Sequence, residues 1–131
     1  MNKLHSSPAL SRRAYIVRYW LPPVLYAAFI FFLSSLPGKD YPYPFFSVDK
    51  VVHLVEYAVL GYLLARAFGY NLSDKKSLFI RAFSVSFLYG LSDEFHQWFV
   101  PYRVVSFMDM LANAAGSLLG IGIYIKQRKV L

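Results

Sequence analysis

Four runs of mostly apolar residues, each about as long as a membrane is thick, dominate this chain of 131 residues. A hydrocarbon core about 30 Å thick needs roughly 20 helical residues to cross it. The runs lie near residues 15–36, 49–68, 77–99 and 106–125, and each predicts a membrane-spanning helix. Pro22 and Pro23 predict a kink in the first helix. We therefore expect an all-α integral membrane four-helix bundle that forms a single domain over residues 1–131.

The composition excludes a water-soluble domain and argues against nucleic acid as a partner. Hydrophobic residues make up 57% of the chain and charged residues only 16%, whereas a soluble domain carries roughly 25% charged residues. The net charge is +7, but the basic residues flank the apolar runs instead of forming an amphipathic face, as in membrane proteins. Cysteine is absent, which excludes disulfide and thiolate chemistry.

The distribution of Lys and Arg predicts the orientation in the membrane. With the amino end inside, eleven of these residues fall on the inner side, and only Lys39, Lys50 and Arg103 fall on the outer side. This asymmetry predicts that both termini are cytoplasmic. The first apolar run is interpreted as an uncleaved anchor, because it is long and interrupted by prolines. Among the acidic residues only Asp74 falls on the inner side, so the carboxylates gather at the outer end.

Three predicted helices carry polar residues at helical spacing near their outer ends. The residues that share a face are Asp49, His53, Glu56 and Tyr57 in the second helix, Asp93 and Gln97 in the third, and Asp109 and Asn113 in the fourth. An ionisable group at the centre of a membrane helix costs about 2.5 to 3.5 kcal/mol, and less toward the interface. We therefore expect these groups to face one another around a cavity or groove that is open to the outside.

Two segments resemble a known family. The segment "DKVVHLVEYAVLGYLL" is followed by "SDEFHQWFVPYRVVSFMDMLANAAGSLLG", and together they resemble the VanZ-like membrane proteins, whose pattern joins DKxxHxxxYxxLG to DExxQxFxPxRxxSxxDxxxNxxG. The matching residues, between about Asp49 and Gly120, are Asp49, Lys50, His53, Tyr57 and Gly61 in the first motif, and Asp93, Glu94, Gln97, Phe99, Pro101, Arg103, Ser106, Asp109, Asn113 and Gly116 in the second. Tyr102 departs from the pattern, because the family often has Gly before the Arg.

The resemblance implies a multi-pass protein of the bacterial cytoplasmic (inner) membrane that acts in the cell envelope. The founding member of the family is linked to resistance to the glycopeptide teicoplanin, so antibiotic resistance is an implied role. The resemblance implies no reaction and no cofactor. A homo-oligomer is compatible with so small a bundle, and transport through it would require one.

The first functional hypothesis is a binding protein for an anionic membrane lipid head group or a lipid-linked cell-wall precursor in the outer leaflet. Arg103, Lys50 and His53 would contact the anion, and the carboxylates would organise these cations. The residues expected to bind the ligand are Asp49, Lys50, His53, Glu56, Tyr57, Asp93, Glu94, Gln97, Arg103, Asp109 and Asn113.

The alternative hypothesis is a membrane enzyme that hydrolyses or modifies an envelope lipid by acid/base or metal-assisted chemistry. Asp93, Glu94 and His53 are the candidate reacting groups. His53, Glu56 and His96 are weak candidates for metal ligands, since an HxxE step occurs by chance in many helices.

Purely structural roles are the alternative interpretation of several of these residues. The expected ion pairs join Asp93 and Glu94 to Arg103, Lys50 or His53, and Arg103 to Asp109 or Glu94. Gly116 and Gly120 continue the polar face of the fourth helix toward its inner end, where small residues are typical of close helix packing.

Overall fold

The computed structural model of the chain describes residues 9–38 and 46–128, and in these residues all regular structure is helical. The helices are α1 (Arg12–Ser35), α2 (Phe46–Gly69), α3 (Lys75–Gln97) and α4 (Phe107–Arg128). The predicted all-α class is confirmed. Short connections join α2 to α3 and α3 to α4, so these consecutive helices run antiparallel.

Three of the four predicted spans have the length and composition that crossing a membrane requires. They are Arg12–Ser35, Asp49–Gly69 and Phe107–Arg128. α3 is long enough, since its 23 residues extend roughly 34 Å. It carries charged residues near both ends, however: Lys75, Lys76 and Arg81 at the start, and Asp93 and Glu94 near the finish. The two carboxylates are buried against the rest of the bundle, so α3 depends on its neighbours to cover them.

α1 is not a regular α-helix near its two prolines. A π-helix over Ile16–Trp20 precedes the α-helical segment Leu21–Ser35. Because Pro22 has no N–H group, the carbonyl of Arg18 lacks its usual helical partner. The guanidinium of Arg66 in α2 donates a hydrogen bond to this carbonyl, at 2.9 Å. A side chain of the neighbouring helix thus replaces the missing backbone bond.

The backbones of α2 and α4 lie in direct contact. A Cβ atom at Gly120 would lie 1.8 Å from the carbonyl oxygen of Ala58, and one at Gly116 would lie 2.2 Å from that of Leu54. Gly61 of α2 approaches the α4 backbone in the same way. The interpretation of Gly116 and Gly120 as packing residues is confirmed, and this contact fixes the position of α4 against α2.

One end of the bundle collects basic residues and tyrosines. The rings of Tyr15, Tyr19 and Tyr70 contact one another there. The basic residues at this end are Arg12, Arg13, Arg18, Arg66, Lys75, Lys76, Lys126 and Arg128. Aromatic rings and cations are typical of the cytoplasmic interface of a membrane protein. Lys3, Lys39 and Lys129, which also entered the charge count, lie outside the described residues.

The opposite end is closed by the loop between α3 and α4. The N–H group of Gly38 donates to the carbonyl of Pro101 at 3.1 Å, and a Cβ atom at Gly38 would lie 1.9 Å from the Tyr102 carbonyl oxygen. Tyr102 has a φ of 61°, in the left-handed region that favours glycine. The family that the chain resembles often has glycine at this position, and Tyr102 adopts the glycine-like conformation at some cost in strain.

Candidate functional site

A cavity of about 470 Å³ opens at the end of the bundle opposite the basic residues. It lies between the last turns of α1 and α3, the first turns of α2 and the loop that follows α3. One wall is apolar and is formed by Ile30, Leu33, Leu36 and Val52. The other wall is polar and is formed by Ser34, Asp49, His53, Glu56, Asp93, Gln97 and Arg103. The lining is therefore amphipathic.

Asp93 faces this cavity with only part of its hydrogen-bonding capacity used. It is 4% exposed, and its Oδ2 accepts a long hydrogen bond of 3.4 Å from Nε2 of Gln97, one turn further along α3. Its Oδ1 accepts no hydrogen bond from the described residues. The hydroxyl groups of Ser34 and Tyr57 lie near the carboxylate but do not reach hydrogen-bonding geometry. Asp93 thus keeps an acceptor oxygen for a ligand.

Lys50 is held by two aspartates beside the cavity. Its ammonium forms an ion pair with Asp109 at the start of α4 and lies 3.6 Å from Oδ2 of Asp49. Nε2 of His53 lies 3.9 Å from a carboxylate oxygen of each of these aspartates. The expected pairing of Lys50 or His53 with Asp93 is therefore not what the structure contains. Lys50 instead connects α2 to α4.

The orientation of His53 is set by Asn113. Nδ1 of His53 lies 3.0 Å from Oδ1 of Asn113, and both residues are buried. Because an amide oxygen only accepts hydrogen bonds, Nδ1 is the donor in this pair. In the neutral ring Nε2 then carries the lone pair, on the side that faces Asp49 and Asp109.

The three side chains of Asp49, His53 and Asp109 form a group that could hold a metal ion. One ligand atom of each lies within 4.8 Å of the others. The ammonium of Lys50 already contacts both aspartates at this place, so a metal ion would have to compete with an existing positive charge. The chemistry available here is carboxylate and imidazole coordination.

His96 lies apart from this group. Its Nε2 is 2.9 Å from Oγ of Ser35, and its ring stacks on that of Phe31 with 4.4 Å between the centroids. In the described part of the chain, His53, Glu56 and His96 do not come together as a metal-holding group. The position of His96 on α3 directs its side chain toward α1 instead.

Arg103 binds backbone rather than carboxylate groups. Its Nε donates to the carbonyl of Leu36 at 3.0 Å, and its Nη2 donates to the carbonyl of Leu33 at 2.9 Å. Leu33 lies in the last turn of α1 and Leu36 directly follows the helix, where helix geometry leaves carbonyls without their usual partners. The Leu33 carbonyl also accepts from the N–H group of Leu36 at 3.2 Å. The expected ion pair with Asp109 or Glu94 is not formed. Arg103 therefore caps α1 while its side chain still lines the cavity.

Glu94 and Tyr57 belong to an inner layer behind the cavity wall. Both side chains are fully buried, and neither the Glu94 carboxylate nor the Tyr57 hydroxyl forms a hydrogen bond with the described residues. Asp93 lines the cavity and its neighbour Glu94 does not, because consecutive residues of an α-helix point in different directions.

The predicted binding residues thus divide into three groups. Those that line the cavity are Asp49, His53, Glu56, Asp93, Gln97 and Arg103. Lys50, Asp109 and Asn113 lie beside or behind His53, and Tyr57 and Glu94 lie in the inner layer. The sequence-based prediction missed Ser34 and the apolar wall. The pair Ser34 and Ser35 near the end of the first apolar run is the sequence signal from which a polar position there could have been predicted.

Apolar helices, a basic end and an amphipathic cavity that opens at the other end define a small multi-pass α-helical membrane protein. The chain belongs to the VanZ/LLP1 family, whose family model matches residues 10–128. This match confirms the resemblance that the two motifs indicated. Comparison with curated proteins and with solved structures finds no match.

Proposed function

We propose that this protein resides in the bacterial cytoplasmic membrane with both termini in the cytoplasm, and that its cavity holds the polar head of an envelope lipid from the outer leaflet. The observation that carries the proposal is the amphipathic lining of the 470 Å³ cavity. Cavities of roughly 300 to 1,000 Å³ are typical of ligand sites. A ligand with a polar head and an apolar body satisfies both walls at once.

The charges of the polar wall define the chemistry of the head group. Asp49, Glu56 and Asp93 supply carboxylates; among the described residues, Arg103 and, when protonated, His53 are the cationic groups that face the cavity. Arg103 uses Nε and Nη2 on backbone carbonyls, which leaves Nη1 for a phosphate oxygen. The carboxylates require hydrogen-bond donors or an ammonium group. The ligand therefore combines a phosphate with hydroxyl or amino donors.

Two kinds of envelope lipid have this chemistry. A phospholipid joins its phosphate to a glycerol or an ethanolamine group, and a lipid-linked cell-wall precursor joins its phosphates to sugar hydroxyls and a peptide. Binding of a cell-wall precursor links the site to glycopeptide antibiotics such as teicoplanin, which act on the cell wall. A contribution to teicoplanin resistance follows if the protein alters access to that precursor.

Ligand-dependent thermal stabilisation tests the proposal. Purified protein in detergent is heated with phosphatidylglycerol, phosphatidylethanolamine or an undecaprenyl-linked precursor. A lipid that binds only the folded state stabilises it by about 2.7 kcal/mol at a concentration of about 100 Kd. We expect one class of lipid to raise the melting temperature of the wild type and of Asp74→Asn, a control at the basic end, but not that of Asp93→Asn. Equal shifts in all three proteins would refute the head-group site.

The orientation is tested separately. A reporter that is active only in the cytoplasm, fused after Leu131, should be active, because the basic residues lie at the end of the bundle where α1 begins and α4 ends. Activity of a reporter that functions only outside the cytoplasm would overturn this orientation.

A hydrolase or lipid-modifying enzyme is the second candidate, and the geometry of His53 favours it. The contact of Nδ1 with Asn113 holds the ring so that Nε2 can accept a proton, which is the arrangement of a positioned general base. Incubation with the same lipids, followed by measurement of released phosphate and head group, tests this activity. Product formation that is lost in His53→Gln, with lipid binding retained, would favour the enzyme over the binding protein.

A further inference from the structure

A second, apolar cavity lies closer to the basic end of the bundle than the polar cavity does. Its volume is about 170 Å³, and it lies between the same three helices. Its lining includes Trp20 and Ala27 of α1, Leu60 and Leu64 of α2, and Val85 and Tyr89 of α3. Almost all of its accessible lining is hydrocarbon or aromatic, so it suits an apolar occupant.

The two cavities occupy successive turns of the same helix faces. On α3, Val85 and Tyr89 line the apolar cavity, and Asp93 and Gln97 line the polar one. These four residues follow one another at intervals of four, which places them on one face of the helix. The hydroxyl of Tyr89 donates to the carbonyl of Ala27, which joins α1 and α3 at the end of the apolar cavity nearer the polar one.

We propose that the apolar cavity receives a hydrocarbon chain of the lipid whose head group occupies the polar cavity. This inference rests on the proposed function. The axial distance from Leu33, in the polar cavity, to Trp20, in the apolar one, is roughly 20 Å. One leaflet contributes roughly 15 Å of hydrocarbon, so a single lipid chain passes Ala27, roughly 9 Å from Leu33 along the axis, and ends inside the apolar cavity before it reaches Trp20.

A third cavity lies on a different face of the bundle. It is apolar, lies between α2 and α4, and includes Val59 and Leu119 in its lining. None of its lining residues belongs to α1 or α3, the helices that line both the polar and the apolar cavity together with α2. Ordinary bilayer lipid is the occupant that its surroundings suggest, which makes it a matched control for the proposed chain site.

The two tryptophans allow a direct test. Trp20 lines the apolar cavity, and Trp98 is exposed at the end of α3. In the full-length Trp98→Phe protein, Trp20 is the remaining tryptophan. Phosphatidylglycerol with bromine atoms on one chain is added to this protein in detergent micelles, and the fluorescence of Trp20 is recorded. We expect saturable quenching that unbrominated phosphatidylglycerol reverses and that the chain-free head group glycerophosphoglycerol does not cause. A parallel titration with brominated phosphatidylethanolamine distinguishes the two head groups.

Two valine substitutions separate the chain site from bulk lipid. Val85 lines the proposed site and is 42% exposed, and Val59 lines the control cavity and is 39% exposed. Val85→Phe narrows the chain site and should lower the apparent affinity for the brominated lipid, measured from the quenching titration, by roughly tenfold. Val59→Phe makes the same change elsewhere and should leave the affinity within about twofold of the parent protein.

The outcomes distinguish failure of the chain site from failure of the head-group site. Quenching of Trp20 that is linear in lipid and equal in Val85→Phe and Val59→Phe would overturn the chain site. If Asp93→Asn still abolishes lipid-dependent thermal stabilisation in that case, the head-group site stands and the chain lies elsewhere. Saturable quenching that Asp93→Asn leaves unchanged would overturn the claim that one lipid occupies both cavities.

Discussion

Neutralising Asp93 should leave the fold intact and remove ligand binding. Asp93→Asn preserves the shape of the side chain and removes its charge. The carboxylate is 4% exposed, its one hydrogen bond, from Gln97, measures 3.4 Å, and it forms no ion pair within the described residues. The substitution therefore breaks no strong interaction, and the new amide can donate to the nearby oxygen atoms of Ser34 or Tyr57.

The environment of Asp93 sets the expected change in the free energy of unfolding. An unpaired charge within a membrane helix costs up to about 2.5 to 3.5 kcal/mol, so its removal should change the free energy of unfolding by between about zero and that amount in the stabilising direction. A buried aspartate paired with Arg103 would behave in the opposite way. Loss of one partner of a buried ion pair costs about 3 to 5 kcal/mol, because the other charge is left uncompensated.

Unfolding of the purified protein in detergent distinguishes the two cases. The free energy of unfolding is measured for the wild type, Asp93→Asn, Arg103→Gln and the double variant. We expect Arg103→Gln alone to be destabilising, because it removes the two bonds to the end of α1, and the coupling energy with Asp93 to be below about 0.5 kcal/mol. A large loss in Asp93→Asn that Arg103→Gln restores would refute the reasoning and make Asp93 a structural residue.

Three further substitutions test the packing, the loop and a helix cap. Gly120→Ala should destabilise the protein by about 1 to 3 kcal/mol in the same unfolding assay, because its Cβ would meet the α2 backbone. The control Gly122→Ala should be neutral or stabilising, because its Cβ would meet nothing within 4 Å. Equal effects of the two substitutions would contradict the close packing of α4 on α2. Tyr102→Gly should stabilise the folded protein by up to about 1 kcal/mol, because the exposed tyrosine has a positive φ. Destabilisation would show that the tyrosine ring contributes more to stability than the backbone strain costs. Hydrogen bonds from the side chain and backbone of Ser77 lower the pKa of Asp74 at the start of α3. Asp74→Ala should therefore destabilise the protein at neutral pH, and the difference from the wild type should disappear as the pH falls through that lowered pKa. A difference that does not depend on pH would exclude capping by the carboxylate.

The general architecture followed from the sequence because apolar runs and helical spacing are local signals. The spacing of Asp49, His53 and Glu56 placed three cavity residues on one face of α2, and that of Asp93 and Gln97 placed two on α3. The charge asymmetry anticipated the basic end of the bundle. These features depend only on the geometry of single helices and on the cost of polar groups in lipid.

The partners of the charged groups could not be predicted in this way. Arg103 was expected to meet a carboxylate, but in the folded chain it donates to the carbonyls at the end of α1 instead. Lys50 was considered as a partner for Asp93, and the close contact of α2 with α4 brings Asp109 to it instead. His96 shares α3 with the site residues but lies against α1. Each outcome depends on how helices are rotated against one another, which helical spacing alone does not specify.

The most direct test of the lipid-head-group site is native mass spectrometry of the protein released from its own membrane. The wild type and Asp74→Asn should each retain one phosphate-containing lipid of a single class, enriched over its share of the membrane. Asp93→Asn should lose that lipid while remaining folded. Retention of lipids in the same proportions as the bulk membrane, or an identical lipid complement in all three proteins, would contradict the site.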